Sequence, residues 1–123
     1  MDRGKRAGLQ LPGGGEGRCV NRGDVFAHKG LGRAGFVVIV SNDGFSAVTG
    51  HPVVVRVSDR PDLTETPYVV ALTNADQVAG HLESYSVVRV RRDRLGADPV
   101  GKVSAGTLRK LDDALALLFD YGG

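Results

Sequence analysis

Residues 36–40 constrain the fold of this chain most strongly, because they read Phe-Val-Val-Ile-Val. The run is far shorter than the roughly 20 apolar residues that a membrane-spanning helix needs. It is rich in β-branched side chains and ends at Ser-Asn-Asp-Gly, so it predicts a strand that is buried on both faces. The question for function is whether Arg33, just before this strand, takes part in chemistry or is a solvated loop residue.

Four further segments have the composition of β-strands, and clusters of turn-forming residues separate them. Residues 52–58 begin with Pro52, at a strand start where the missing backbone N–H is tolerated. Residues 86–91 show the alternation that is typical of a strand with one buried face. The predicted strands are 24–28, 36–40, 52–58, 67–72 and 86–91, and the predicted turns lie at 42–44, 49–50, 59–61 and 74–76.

The end of the chain has a helical pattern instead. Ser104 is a suitable N-cap, and four leucines then recur at spacings of three and four residues: Leu108, Leu111, Leu115 and Leu118. This pattern predicts an amphipathic helix of about four turns whose leucine face lies on the sheet. The predicted architecture is a small, strongly curved antiparallel sheet of about five strands with one C-terminal helix.

The chain of 123 residues predicts one folded domain preceded by a tail. Residues 1–19 hold six glycines and Pro12, a composition that predicts a flexible arm. The domain is therefore expected to span residues 20–121. A core of this size often adds an oligomer interface to reach secure stability.

Composition also narrows the functional classes. We expect no membrane segment and no signal peptide, and the single cysteine, Cys19, permits no internal disulfide, which fits a reducing cytoplasm. The histidines at 28, 51 and 81 are too scattered to suggest a metal site, so none is predicted. No phosphate-cradling glycine motif precedes a helical pattern, and no serine nucleophile elbow is present.

Arginines are clustered, although the formal net charge is only +2. Four of them crowd residues 89–94, and Arg56 and Arg60 lie on or just after another predicted strand. Clusters of this kind indicate either a polyanionic partner, such as nucleic acid or an acidic protein, or a solvated strand edge that is protected from aggregation by its charge.

Polar and basic groups also lie at the predicted strand ends, and these are the candidate site residues. An arginine fork binds two phosphate oxygens and a hydroxyl adds a third contact, so the combination suits a phosphate group. RNA cleavage without a metal needs little more, because the 2′-OH is an internal nucleophile and the protein mainly stabilises the developing charge. The candidates are Arg22, Arg33, Ser41, Asn42, Ser58, Arg60 and Thr73.

Five short motifs, in this order along residues 20–119, resemble those of the MazF/PemK toxins. Residues 21–26 resemble the family's opening Arg-Gly-Asp-Val-Tyr/Phe, and residues 37–43 resemble its second strand, which ends in Asn-Asp. Residues 53–58 are similar to the family's strand that ends in a hydroxyl residue. Residues 92–96 are similar to the Arg-Leu-Gly before the last helix, and residues 111–115 are similar to the helix motif Val-Asp-x-Ala-Leu.

The resemblance implies a CcdB/PemK-like fold, which is a small SH3-like barrel with a terminal helix. It also implies the toxin of a type II toxin–antitoxin pair: a homodimeric endoribonuclease that cleaves single-stranded RNA sequence-selectively, without metal or other cofactor. The expected partners are RNA and a cognate antitoxin whose acidic segment occupies the RNA groove. No membrane partner is expected.

The resemblance assigns the catalytic hydroxyl to Ser58. The family's catalytic arginine directly precedes a proline that opens the second strand, and the matching position here is Gly35, followed by Phe36. Arg33 is then expected to supply the guanidinium from two residues upstream, through a short, glycine-flanked loop. The residues expected to bind RNA are Arg22, His28, Ser41, Asn42, Arg60 and Thr73.

Three alternatives stay open at this point. The loss of the family's arginine permits a catalytically degraded relative that binds nucleic acid or an antitoxin peptide. A sister branch of the fold contains gyrase-binding, CcdB-like toxins. Within the ribonuclease hypothesis, His28 and His51 offer general acid–base catalysis as a rival to the arginine–serine pair.

Overall fold

A computed structural model describes residues 20–29 and 35–119. In these residues six antiparallel strands form one sheet in the order β4-β5-β3-β2-β1-β6. The strands are β1 (Asp24–His28), β2 (Gly35–Ile39), β3 (Val53–Ser58), β4 (Val69–Ala71), β5 (His81–Arg89) and β6 (Gly101–Lys102). The helices are α1 (Asp43–Thr49) and α2 (Ala105–Leu118), and Arg92–Arg94 form one 3-10 turn.

The sheet curls because β5 does not follow β3 in an unbroken register. Val55 pairs with Val87 and Val57 pairs with Leu82, so one residue of β3 lies opposite four residues of β5. A bulge of this kind bends the strand and increases the local twist. At the edge of the sheet an isolated bridge between His28 and Leu95 continues the curvature past β1, which gives a half-barrel.

Both faces of the central strands are covered. Val25, Val38 and Val55 pack on one face with α2 residues such as Leu111, while the other face buries a second cluster. That second cluster comprises Val20, Phe26, Val37, Ile39, Val54, Val90 and Leu95. The core therefore lies on both sides of β1, β2 and β3.

The prediction for residues 36–40 is confirmed at its centre and wrong at its edges. Val37, Val38 and Ile39 are buried and point alternately into the two clusters. Phe36, however, is 42% exposed, and Val40 lies just beyond the strand. Burial on both faces thus extends only as far as the flanking strands β1 and β3 pair with β2.

Strand β1 has its predicted bounds, 24–28, and the remaining predicted strands are present with shifted ends. Strand β5 begins at His81, five residues before the predicted start, because Gly80 allows the chain to turn there. The backbone at Gly80 has a φ of +130°, and a Cβ atom at this position would lie 2.4 Å from the carbonyl oxygen of Ser58. Only glycine fits this close approach.

Two elements were not predicted, and one predicted turn is wrong. Residues 42–44 start helix α1 instead of a turn, because the side chain of Asn42 caps the helix by accepting a hydrogen bond from Phe45 N at 2.8 Å. Strand β6 has only two residues, and Lys102 N donates to the Gln77 side chain at 2.7 Å on its free edge.

Helix α2 confirms the predicted cap and length. The Ser104 hydroxyl accepts a hydrogen bond from Thr107 N, and the helix runs to Leu118. The sequence prediction of a flexible arm at residues 1–19 lies outside the described residues, as do the last two positions of the predicted domain, 120 and 121.

Candidate active site

One end of the sheet brings together chain segments that are far apart in sequence. At this end β1, β3 and β4 finish while β2 and β5 begin. His28 pairs with Gly35, and Ser58 pairs with His81, which in turn pairs with Ala71 of β4. We call this end of the sheet, with the residues around it, the site end.

The β2–β3 ladder fixes how these pairs relate. Val38 pairs with Val55 and Val37 pairs with Arg56, so each step back along β2 is one step forward along β3. The last β2–β3 pair is Val37 with Arg56, and Gly35 and Ser58 each lie two residues beyond it, on the same face as that pair. The two pairs His28–Gly35 and Ser58–His81 are together called the site row.

The described residues leave open space beside Gly35, in the middle of the site row. A Cβ atom placed on Gly35 would meet no atom of the described residues within 4 Å. Ser58 is half-buried beside this space, and its hydroxyl oxygen accepts a hydrogen bond from Arg60 N at 3.3 Å. Accepting this bond leaves the hydroxyl hydrogen of Ser58 free to be donated to a ligand.

His28 lies at the start of the site row and is only 5% exposed. Neither of its ring nitrogens has a hydrogen-bond partner in the described part of the chain. Burial lowers the pKa of His28 below its ordinary value of 6.5, and the positive charges of Arg56 and Arg94 lower it further. The imidazole is therefore neutral at pH 7, with one nitrogen able to donate and the other able to accept.

Arg60 and Thr73 also lie at the site end, but their side chains already have partners. The Arg60 guanidinium forms a two-point ion pair with Asp62, at 3.2 and 2.8 Å, which raises the pKa of Arg60. Glu83 is a second carboxylate, at 3.9 Å. The Thr73 hydroxyl donates to Asp76 at 3.1 Å.

Three of the predicted RNA-binding residues lie at the opposite end of the sheet. The Arg22 guanidinium contacts Asp112 of α2 and donates from Nε to the carbonyl oxygen of Val40. Ser41 bonds to the Ser46 hydroxyl at 2.8 Å and accepts from Val53 N at 3.0 Å. Asn42 is the cap of α1 described above. These side chains connect elements of the fold.

Two further residues were predicted to take part in catalysis, Arg33 in one mechanism and His51 in the rival mechanism. Arg33 lies outside the described residues, although Lys29 and Gly35, which flank its segment, are both at the site end. His51 lies at the other end of the sheet, where its Nδ1 is 2.8 Å from the carbonyl oxygen of Thr49. His28, Ser58, Arg60 and Thr73 thus lie at the site end, and Arg22, Ser41, Asn42 and His51 lie at the opposite end of the sheet.

Three residues at the site end did not appear among the predicted site residues: Arg56, Arg94 and His81. Arg56 could have been found from its spacing, because residues two apart on a strand share a face and Arg56 is two residues before Ser58. Arg94 and His81 reach the site through a 3-10 turn and a bulged strand, which the sequence does not position.

Among residues 20–29 and 35–119, no helix is long and apolar enough to cross a membrane. The same residues contain no group of three or more histidine, cysteine, aspartate or glutamate side chains placed to hold a metal ion.

A curled antiparallel sheet with a C-terminal helix is also the fold of known endoribonucleases. An endoribonuclease from a mycobacterial species is 29% identical, with a TM-score of 0.72, over 82% of this chain and 91% of that one. Another mycobacterial endoribonuclease, solved in complex with its cognate antitoxin, is 28% identical, with a TM-score of 0.74, over 83% and 98%.

A more distant structure, MazE-MazF from Deinococcus radiodurans, shares the fold at 18% identity, with a TM-score of 0.71 over 82% of this chain and 95% of that one. No curated protein matches the chain. Residues 22–119 match the family described as the PemK-like, MazF-like toxin of type II toxin-antitoxin systems. The chain belongs to this family, and its fold is that of the family.

Proposed function

We propose that this protein is the toxin of a type II pair and cleaves single-stranded RNA at the site end of its sheet, without a metal ion. The site row is the observation that carries the proposal. The proposal is supported by a serine hydroxyl on the same face of the neighbouring strand as the position where the family has its arginine, and by the absence of described atoms within 4 Å of a Cβ placed on Gly35.

The chemistry needs few groups. The RNA 2′-oxygen attacks the neighbouring phosphorus, the bond to the 5′-oxygen breaks, and the 2′-proton leaves while the 5′-oxygen gains one. In the transition state negative charge builds on the phosphate oxygens, and fixed donors that face those oxygens lower the barrier. Ser58 supplies one donor from its free hydroxyl hydrogen, and Arg33 supplies a guanidinium from the segment between Lys29 and Gly35.

Two partners follow from the proposal. One is a second copy of the chain, because exposed apolar side chains such as Tyr68, Tyr85 and Leu117 border an open groove of about 650 Å³. The other is an antitoxin with an acidic segment, which complements the arginines of the site end; a 28% identical endoribonuclease was solved with its antitoxin. Sedimentation at micromolar concentration should show a dimer, and a single 13.0 kDa species would contradict it.

The deciding experiment is incubation of the purified protein with a long RNA in EDTA, followed by mapping of the cut ends. Cleavage should continue in EDTA and leave a 2′,3′-cyclic phosphate on one fragment and a 5′-hydroxyl on the other. Ser58→Ala should slow it about 100-fold or more. Thr49→Ala, which removes an exposed hydroxyl at the opposite end of the sheet, is the matched control and should cut at the wild-type rate.

A second candidate function rests on Gly35. Since glycine stands where the family has its catalytic arginine, a relative that binds RNA or an antitoxin peptide without cutting is the competing function. Wild-type protein that binds a single-stranded oligonucleotide but produces no cut ends, in EDTA or with added divalent metal, would establish it and reject the ribonuclease proposal.

A further inference from the structure

The site end contains an arginine with no partner among the described residues. Arg56 is exposed in the middle of β3, whereas Arg60 is held by Asp62 and Glu83, and Arg22 by Asp112. An exposed arginine without a carboxylate partner keeps its five donors available for a phosphate group.

Arg56 and Ser58 are on the same face of β3. Their neighbours Val55 and Val57 point into the cluster beneath α2, so Arg56 and Ser58 point to the opposite face. Two residues along a strand span about 6.6 Å, which a side chain as long as arginine covers. The guanidinium of Arg56 can therefore reach the open space beside Ser58.

The same space lies over Gly35. Arg56 pairs with Val37, which is two residues after Gly35 on β2, so Arg56 is diagonal to Gly35 across the ladder. The charge of Arg56 also acts on His28, the residue paired with Gly35, by lowering its pKa. Register and electrostatics thus agree that the Arg56 side chain lies over the site row.

We propose that Arg56 is a further catalytic residue of this site and that its guanidinium binds the scissile phosphate together with Ser58. In this chain a guanidinium from β3 fills the space that Gly35 leaves open on β2. The inference rests on the proposed ribonuclease function and adds a residue to it. The neutral imidazole of His28, which has no hydrogen-bond partner among residues 20–29 and 35–119, pairs with Gly35 and supplies one further hydrogen-bonding group without adding charge.

Moving the arginine from position 56 to position 35 tests whether Arg56 is a catalytic residue. Arg56→Ala should reduce the cleavage rate by about 100-fold or more, which is the usual loss when one donor to a developing oxyanion is removed. Adding Gly35→Arg to Arg56→Ala should restore at least tenfold, because no atom of the described residues lies within 4 Å of a Cβ at position 35 and an arginine there is on the same face as Ser58. A purely structural role for Arg56 predicts no rescue.

Binding gives a second measurement. Removal of one phosphate contact should flatten the dependence of log K on log salt by about 0.7 for single-stranded RNA. Arg56→Gln keeps most of the side-chain length and should show the same flattening, which covers the case in which Arg56→Ala does not fold. Arg109→Ala, an exposed arginine on α2, is the matched control and should change neither the rate nor the slope.

The outcomes separate the two proposals. If the wild type cuts RNA and both Arg56 variants cut at the wild-type rate, the assignment of Arg56 is wrong and the ribonuclease function stands. A slow Arg56→Ala variant that folds normally but gains nothing from Gly35→Arg also overturns it. Wild-type protein that cuts no RNA rejects the proposed function and the role of Arg56 with it.

Discussion

The carboxylate of Asp76 accepts a hydrogen bond from the backbone N–H of Ser104 at 2.6 Å, which joins the loop after β4 to the start of helix α2. The same carboxylate accepts from Thr73 N at 2.7 Å and from the Thr107 hydroxyl at 2.8 Å. Asp76 is only 8% exposed. A single buried side chain therefore positions the helix that covers one face of the sheet.

Asp76→Ala should lower the free energy of unfolding by about 3 kcal/mol, because it leaves several buried donors without an acceptor. Chemical denaturation at pH 7 measures the loss. The control variant Asp113→Ala removes an exposed carboxylate from helix α2, and its free energy of unfolding should stay within about 0.5 kcal/mol of the wild-type value. A loss of under 1 kcal/mol for Asp76→Ala would contradict the anchoring role.

The stabilisation that the Asp76 carboxylate provides should also depend on pH. Burial alone would raise the pKa of Asp76, but the hydrogen bonds from Ser104, Thr73 and Thr107 outweigh it and hold the pKa below 3.8. Its stabilisation is therefore complete above the unfolded value near 3.8 and is lost as the pH falls through the lower folded value. Between pH 5 and pH 2 the wild type should lose more stability than Asp76→Ala.

His28 predicts a different pH dependence. Its folded pKa lies below 6.5, because of burial first and then of Arg56 and Arg94, so between the two values only the unfolded chain binds the proton. Acidification from pH 7.5 to 5 should therefore reduce the free energy of unfolding, and the loss should stop below the folded pKa.

The variant His28→Leu isolates this contribution. It removes the titrating group and two unpartnered buried nitrogens, so its stability at pH 7.5 should equal or exceed that of the wild type. Its stability should also fall less between pH 7.5 and 5. Parallel curves for the two proteins over this range would show that His28 does not carry the effect.

The contact between Arg22 and Asp112 joins the residue just before β1 to helix α2, and it favours a structural role for Arg22. The side chains are 33% and 45% exposed, so solvent screening limits the pair to about 0.5–1 kcal/mol. Asp112→Asn should cost this amount in low salt and less in 1 M salt. RNA affinity should not change in Asp112→Asn, whereas a role of Arg22 in RNA binding would appear as weaker binding by Arg22→Ala alone.

The sequence predicts the long elements of this fold better than the short ones, because a long element repeats its residue pattern more often. The apolar run at Val37–Ile39 and the leucines of α2 extend over enough residues to identify their elements. Helix α1 has seven residues, and the residues at its start, the cap Asn42 and the first helical residue Asp43, are also typical of a turn. Strand β6 has two residues, so no periodicity can reveal it.

The candidate site was harder to predict than the fold, because it depends on register. Ser58 was a candidate because of its residue type at a strand end, and a family resemblance gave it the catalytic role, but its place on the same face as Gly35 follows only from the β2–β3 pairing. Arg22, Ser41 and Asn42 have the residue types of a phosphate site, and in this structure they contact other parts of the fold. Residue type alone does not distinguish these two uses.

The last prediction concerns Ser58 and Arg33 on one phosphate group. Ser58→Ala and Arg33→Ala should each slow RNA cleavage about 100- to 1000-fold, since each removes a donor to the same developing charge. The double variant should lose far less than the product of the two losses, because groups that act as a unit are not additive. Ser58→Thr keeps the hydroxyl and should retain most of the activity.

Thermal unfolding of every variant distinguishes a loss of catalytic activity from a loss of folded structure. Ser58 is half-buried at a strand end, so Ser58→Ala should unfold within a few degrees of the wild type. The rival mechanism, with His28 and His51 as base and acid, predicts a bell-shaped pH–rate profile near neutrality and little effect of Arg33→Ala. His51 lies at the far end of the sheet, so we expect His51→Ala to cut RNA at the wild-type rate, and a 100-fold loss in that variant would favour the rival.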